Sequence, residues 1–249
     1  WSRELSRSMG LNTTPNTIIF KTKEEIREAV RREAINIISL SALEFLEIRD
    51  TVPLTPIIIA SNNRGSEREQ LLIVRNNSRI KNILDLRDKT IFLPPAGKYQ
   101  ASHIWLNVLL LRKGFRSSAS FFRQIKEASK PSQAIMSLFF GTIDAVIVSR
   151  GAFDTARTLN PQLGQRLAII AESKSLVGDI TCIPSSTDAL FRNVIETAAL
   201  NLHKTTIGRQ IFTLFQIDRV IPYHQEYLSG LENLLKERDQ LQRKSGRKP

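Results

Sequence analysis

The clearest alternation of apolar and polar positions is ILDLRDKTIFLPPAGKYQASHIWLNVLLLRKGF, from Ile83 to Phe115. Thr90 to Leu93 is β-rich and passes through Pro94, Pro95 and Gly97 into a stretch where Ala101, Ile104, Trp105, Val108 and Leu109 recur at three-and-four spacing. That pattern predicts a strand running into a helix of about 15 residues, with Trp105 in the core stripe. Arg112, Lys113 and Gly114 form a charged last turn and a C′ glycine.

Other segments repeat the motif. Residues 2 to 9 are helix-like, with Gly10 as the stop, and Thr17 to Phe20 is a short β-rich run. Thr22 with Glu25 forms a capping-box pattern that opens a helix with Ile26, Ala29 and Val30 inward. Asn36 to Leu40 predicts a strand, delivered into a second capping box at Ser41 and Glu44, and this strand–helix alternation predicts parallel βαβ units. Ile57 to Ser61 and Gln70 to Arg75 read as antiparallel strands joined by the polar loop NNRGSERE. Downstream come a β-rich Ser120 to Ile125, a helix from Ser132 to Phe140 ended by Gly141, and the apolar strand Asp144 to Val148. Ser149, Arg150 and Gly151 then make a polar corner, followed by a short helix through Thr158. Leu167 to Ala171 is a strand and Gly178 to Ile183 an extended segment. The remainder is helical: Thr187 to His203 with Phe191, Val194, Ile195, Ala198 and Leu202 inward, Gly208 to Phe215, and Gln225 to Leu241.

Candidate chemistry lies at the strand-to-helix corners. A strand that opens a helix through a glycine turn aims several backbone N–H groups at one point, which attracts anions. Lys98 in such a first turn opposes the helix dipole unless a negative group joins it; taken alone it reads more simply as a solvated turn residue, so the case for an anion rests on matching corners elsewhere in the chain. Ser41 lies at a strand's carboxyl end, where ligands of open sheets bind, yet Ser41 and Glu44 can also satisfy each other. Arg150 would bring a forked cation to the third corner.

Composition narrows the classes. The 249 residues suffice for one large domain or two lobes, and 36 Lys and Arg against 24 Asp and Glu give a charge of +12, which favours anionic partners in general. Part of the excess is a basic tail over about 242–249. One cysteine, Cys182, and the scattered His103, His203 and His224 argue against a disulfide or a zinc site, and no cofactor or metal is expected. No apolar run is long enough to span a membrane. The chain starts at Trp1 without a methionine or signal peptide and so reads as a processed or trimmed product.

The ordered segments EEIREAVRREAINIISLSALEF, LLIVRNNSRIKNILDLRDKTIFLPP and SQAIMSLFFGTIDAVIVSRGAF resemble the phosphate, phosphite and phosphonate substrate-binding proteins of bacterial ABC transporters. TARTLNPQLGQRLAIIAES and HKTTIGRQIFTLFQIDRVIP look like a divergent branch, and the match runs from about Thr17 to Leu235. The resemblance implies an α/β, two-lobed type 2 periplasmic-binding-protein fold, with mixed sheets, flanking helices and a cleft between the lobes. Lobe one would comprise 1–81 and 178–249, and lobe two 82–177. A strand that normally precedes the segment at Trp1 would be missing.

Carried over by position, the resemblance implies ligand contacts at Ser39, Ser41 and Ala42 from lobe one. From lobe two it implies Gly97, Lys98, Tyr99, Gln100, Ala101 and Ser102, together with Ser149 and Arg150, and Asp179 near the hinge. Tyr99 could donate its hydroxyl or simply wall the cleft. The family's serine- and threonine-rich turn is replaced by Gly97 to Ala101, and its aspartates after the DAVIV strand by Ser149 and Arg150. Both departures remove negative charge or add positive charge, which keeps an anion as the expected ligand and leaves phosphonate itself open. The implied function is an extracytoplasmic, periplasmic receptor, a monomer, that presents a small oxyanion to an ABC permease or membrane sensor. A ligand-sensing regulatory module is the second reading. Nucleic acid is not expected as a partner. Catalysis is not expected either, because the corners hold no histidine or cysteine and Glu44 is explained as a cap.

Overall fold

The structure, a computed structural model, describes residues 2–11, 14–61, 69–215, 217 and 219–246, without the side chains of 97–99, 215, 245 and 246. In chain order the elements are α1 (Ser2–Ser8), α2 (Lys23–Arg31), β1 (Ile38–Ser41), α3 (Ala42–Ile48), β2 (Leu54–Ser61), β3 (Gln70–Arg75), β4 (Thr90–Leu93) and α4 (Ala96–Leu111). They continue as α5 (Ser118–Phe121), β5 (Gln124–Glu127), α6 (Pro131–Phe139), β6 (Ala145–Ser149), α7 (Arg150–Leu159), α8 (Gln162–Arg166), β7 (Leu167–Glu172) and β8 (Asp179–Pro184). The last are α9 (Ala189–Asn201), α10 (Thr206–Phe215), β9 (Arg219–Pro222) and α11 (Ser229–Gly246), with short 3-10 turns at Ile83–Leu86, Leu202–Lys204 and Gln225–Leu228.

The chain divides into two compact units, residues 1–67 with 177–227 and residues 68–176 with 228–249. The first unit holds a sheet ordered β1-β8-β2-β9, every neighbouring pair antiparallel. β1 and β2 do run in the same sense, but β8 inserts between them, so the expected direct parallel pairing does not occur. Leu5 of α1, Ile195, Ala198 and Ala199 of α9 and Phe212 of α10 pack with Ile57, Ile58, Ile183 and Val220 of the strands. Thr17 to Phe20 forms no strand, and Ile18 and Ile19 are exposed. Val194, expected inward, is also exposed.

The second unit holds a sheet ordered β5-β4-β6-β3-β7. β4 pairs parallel with β5 and β6, whereas β3 pairs antiparallel with β6 and β7. β2 and β3 therefore belong to different sheets rather than one hairpin. QLLIVR is apolar almost throughout because β3 lies between two strands with both faces covered, and Leu71, Leu72, Ile73 and Val74 are fully buried. One face packs Ala134, Ile135 and Leu138 of α6, Phe153 of α7 and Leu163 of α8 against Leu71, Ile73, Val146 and Val148. α4 is buried through Ile104, Trp105, Leu106, Val108, Leu109 and Leu110, and ends at Gly114, whose φ of +85° suits a C′ glycine.

The unit boundaries differ from those expected in two places. β3 joins the second unit because its apolar strand completes that sheet. The C-terminal α11 joins it too, because Leu231 and Leu234 are buried and Glu237 holds Arg112 at the end of α4 through two bonds of 2.7 and 2.8 Å. The expected β-rich Ser120 to Ile125 is the end of α5 followed by the start of β5, and β9 is a strand that periodicity did not show.

Cys182 lies fully buried in β8, where burial pushes its thiol up to about 12. A thiol whose folded pKa is raised stays neutral, and stability from it falls only as pH climbs above the ordinary cysteine range. Native protein at pH 8 is expected to leave a thiol-reactive dye uncoloured and to yield one equivalent after denaturation. A full equivalent under native conditions would contradict this packing.

Candidate functional site

In the first unit the corner after β1 is held by its own residues. Ser41 Oγ accepts the Glu44 amide at 3.2 Å and donates to Glu44 Oε2 at 2.7 Å, while the Ser41 amide donates to the same carboxylate at 2.9 Å. The Ala42 amide donates to the Gly178 carbonyl at 2.7 Å, and Ala42 is buried. Ser39 Oγ lies 3.2 Å from Thr181 Oγ1 across the β1–β8 pair. Ser41 and Asp179 face each other in register. The geometry thus brings Ser39, Ser41 and Asp179 together on the β1–β8 pair, with Ala42 at the start of α3 beside them and Ser41 engaged as a helix cap.

In the second unit the parallel strands β4 and β6 end side by side, and each opens a helix, α4 and α7. The antiparallel β3 starts at the same edge, with Gln70 opposite Ser149, and β7 ends there, with Glu172 opposite Leu71. Ser149 caps α7, its Oγ accepting the Ala152 amide at 3.3 Å. Pro95 precedes α4 and gives it no side-chain cap, and the Ala96 amide donates to Glu127 Oε1 at 3.4 Å. Gly97, Lys98 and Tyr99 lie in the first turn of α4, and their side chains fall outside the described residues. Gln100, His103, Asn107 and Arg238 line a cavity of about 530 Å3 in the groove between α4 and α11. Ala101 is half-buried, and Ser102 is buried, its Oγ donating to Gln70 Oε1 at 2.9 Å.

Arg150 is the main correction to the expected site. Its guanidinium pairs with Glu69 and Glu172, and its backbone amide donates to the Glu69 carbonyl at 2.9 Å. The bonds to Glu172 and then to Glu69 raise the Arg150 pKa, and Arg150 in turn holds the Glu172 carboxyl below its usual range. A cation flanked by two carboxylates presents a local charge of −1 to a ligand, so Arg150 does not add the positive charge that its position suggested. A buried polar chain lies beneath it, in which the Gln70 amide donates to Ser173 Oγ at 2.8 Å and the Ser173 amide donates to the Gln70 carbonyl at 2.9 Å.

Glu69, Gln70, Glu172 and Ser173 escaped the sequence reading. Their signal was their place at the ends of the runs LLIVR and LAIIA, and it becomes legible only once β3 is known to run against β6 and β7. Among the described residues no group of three or more histidines, cysteines or carboxylates could hold a metal, and no helix is long and apolar enough to cross a membrane.

No curated protein sequence matches the chain. A sequence model of the family described as ABC transporter, phosphonate, periplasmic substrate-binding protein matches residues 2–228. Among solved structures, a binding-protein component of an ABC phosphonate transporter from Pseudomonas aeruginosa aligns with a TM-score of 0.65 at 11% identity, covering 98% of this chain and 81% of that one. PhnD1 from Prochlorococcus marinus, in complex with methylphosphonate, aligns with a TM-score of 0.61 at 16% identity over 96% and 90% of the two chains. A Xanthomonas citri protein bound to ATP aligns with a TM-score of 0.66 at 16% identity over 96% and 91%. At these identities the likeness is one of fold, that of type 2 periplasmic binding proteins. The family match spans residues 2–228 of a chain built from one antiparallel and one mixed sheet with flanking helices, and the chain belongs to the periplasmic substrate-binding proteins of the ABC phosphonate transporter family.

Proposed function

We propose that this chain is a solute receptor for a small phosphate- or phosphonate-like oxyanion, which it delivers to an ABC permease or a membrane sensor. The observation that carries this reading is the start of α4. It follows a parallel strand at the carboxyl edge of the second sheet, has no side-chain cap and no acid in its first turn, and carries Lys98 there. Such a helix end favours an anion through its backbone donors and its dipole. The Ala96 amide meets only the exposed Glu127 carboxylate, at 3.4 Å, a long contact that a ligand oxygen can replace. In the first unit, taken by itself, Ser39, Asp179 and the capped Ser41 are proposed as ligand contacts.

The Glu69–Arg150–Glu172 group tunes this edge against anions. Removing the carboxylate charges while keeping their shape frees the guanidinium for a bidentate oxyanion contact.

The test is a thermal-shift panel of phosphate, phosphite, methylphosphonate, sulfate and small organic acids. A true ligand at a hundredfold excess over its Kd adds roughly 2.7 kcal/mol of stability. Lys98→Ala should reduce the winning shift. Glu69→Gln with Glu172→Gln should enlarge it, and Arg150→Ala, which leaves two carboxylates unpaired, should diminish it. A panel without any shift, or a Lys98→Ala protein that responds as the parent does, refutes the assignment of this edge.

A further inference from the structure

The excess charge of the chain belongs to one unit. Residues 68–176 and 228–249 hold 23 Lys and Arg against 10 Asp and Glu, whereas the other unit holds 13 against 14. The strand register concentrates part of that excess at the amino edge of the second sheet, opposite the edge where α4 and α7 begin. The segments leading into β4 and β5 meet there, where the Arg123 amide donates to the Lys89 carbonyl at 2.9 Å and the Asp88 amide donates to the Phe121 carbonyl at 2.9 Å. The end of α4 joins them, since Phe115 stacks edge-on to Phe121 at 4.8 Å and the Arg87 guanidinium lies 5.9 Å from the Phe115 ring.

Lys81, Arg87, Lys89, Lys113, Arg116 and Arg123 are all exposed. The acids among them offset little. Asp85 accepts the Lys81 and Asn82 amides and is occupied as a cap, while Asp88 and Asp144 approach Arg87 and Arg123 only to 4.0 Å. Among the described residues no carboxylate lies within ion-pair distance of Lys89, Lys113 or Arg116. Two large apolar side chains are exposed along the same edge, Leu84 at 44% and Phe140 at 71%, the latter at the end of α6 shortly before β6 begins.

The geometry points to a membrane-docking surface, in which the amino edge of the second unit lies against an anionic phospholipid layer. Unpaired cations held on one rigid edge repel one another and gain when negative headgroups neutralise them. Leu84 and Phe140 would enter the boundary between headgroups and acyl chains, an environment that a nucleic-acid duplex does not offer. A member of a transporter family works beside a membrane. The inference rests on family membership and on this edge, and is independent of which ligand the carboxyl edge takes.

The full chain would be sedimented with vesicles of phosphatidylcholine alone and of phosphatidylcholine mixed with phosphatidylglycerol. Binding is expected only to the mixture, and is expected to weaken as salt rises. Lys89→Ala, Lys113→Ala and Arg116→Ala together should reduce affinity by roughly a hundredfold, about fivefold for each cation near the surface. Their melting curve should match the parent's, since all three side chains are exposed. Phe140→Ser should weaken binding without altering its salt dependence. Equal binding to both vesicles, or undiminished binding by the triple variant, overturns the proposal. So does release of the protein from the vesicles by stoichiometric duplex DNA, which would reassign the edge to nucleic acid.

Discussion

Phe121→Ala is expected to destabilise the second unit by about 3–5 kcal/mol. Phe121 is 1% exposed at the end of α5, with Phe115 and Phe122 edge-on at 4.8 and 5.0 Å. Removing its ring leaves a void at the point where α4, β4 and β5 are tied together, and the backbone bond from Asp88 to the Phe121 carbonyl fixes that corner so that it cannot simply collapse. In a chain of this size each kcal/mol moves a melting midpoint by roughly 2–4 °C, so the fall should be at least about 6 °C. The variant should also splay the basic edge and so weaken binding to anionic vesicles. A midpoint within a degree of the parent's would show that Phe121 does not anchor this corner.

Gly230→Ala should act at the other end of the same unit. A Cβ at position 230 would overlap the Ser175 carbonyl oxygen, a backbone atom with no side-chain freedom to move aside. Alanine adds helix propensity worth about 1 kcal/mol over glycine, whereas overpacking costs about 1–3 kcal/mol and occasionally more. The overlap is with backbone, so the overpacking side wins. α11 should loosen from α4, and the Arg112–Glu237 bonds at 2.7 and 2.8 Å should break with it. Faster amide exchange over Ser229 to Glu237, together with a lower midpoint, is the expected signature. A stabilised variant with α11 unchanged in exchange would contradict the close approach of Gly230 to Ser175.

The family and the local elements were legible for a simple reason. Caps, periodicity and apolar runs are properties of neighbouring residues, and here they agree with the fold: Ser41 with Glu44, the strand Thr90 to Leu93, and Gly114 after α4 all occur where the pattern places them. The candidate site was legible only in outline. The corners after β4 and β6 do share an edge, but the chemistry at that edge depends on Glu69, Gln70, Glu172 and Ser173, brought there by two antiparallel strands. A charged side chain read alone looks available. Arg150 is a cation in the sequence and part of a net-negative group in the fold.

By itself the sequence determined the type of each long element, most of the buried stripe positions, the serine-capped corners and the family, because short-range sterics and burial leave a mark at fixed spacing. Tertiary structure alone decided which strands pair, that β8 separates β1 from β2, that β3 and α11 belong to the second unit, and which cations face solvent unpaired. Those outcomes depend on contacts between residues far apart in the chain, where periodicity carries no information about partner or register.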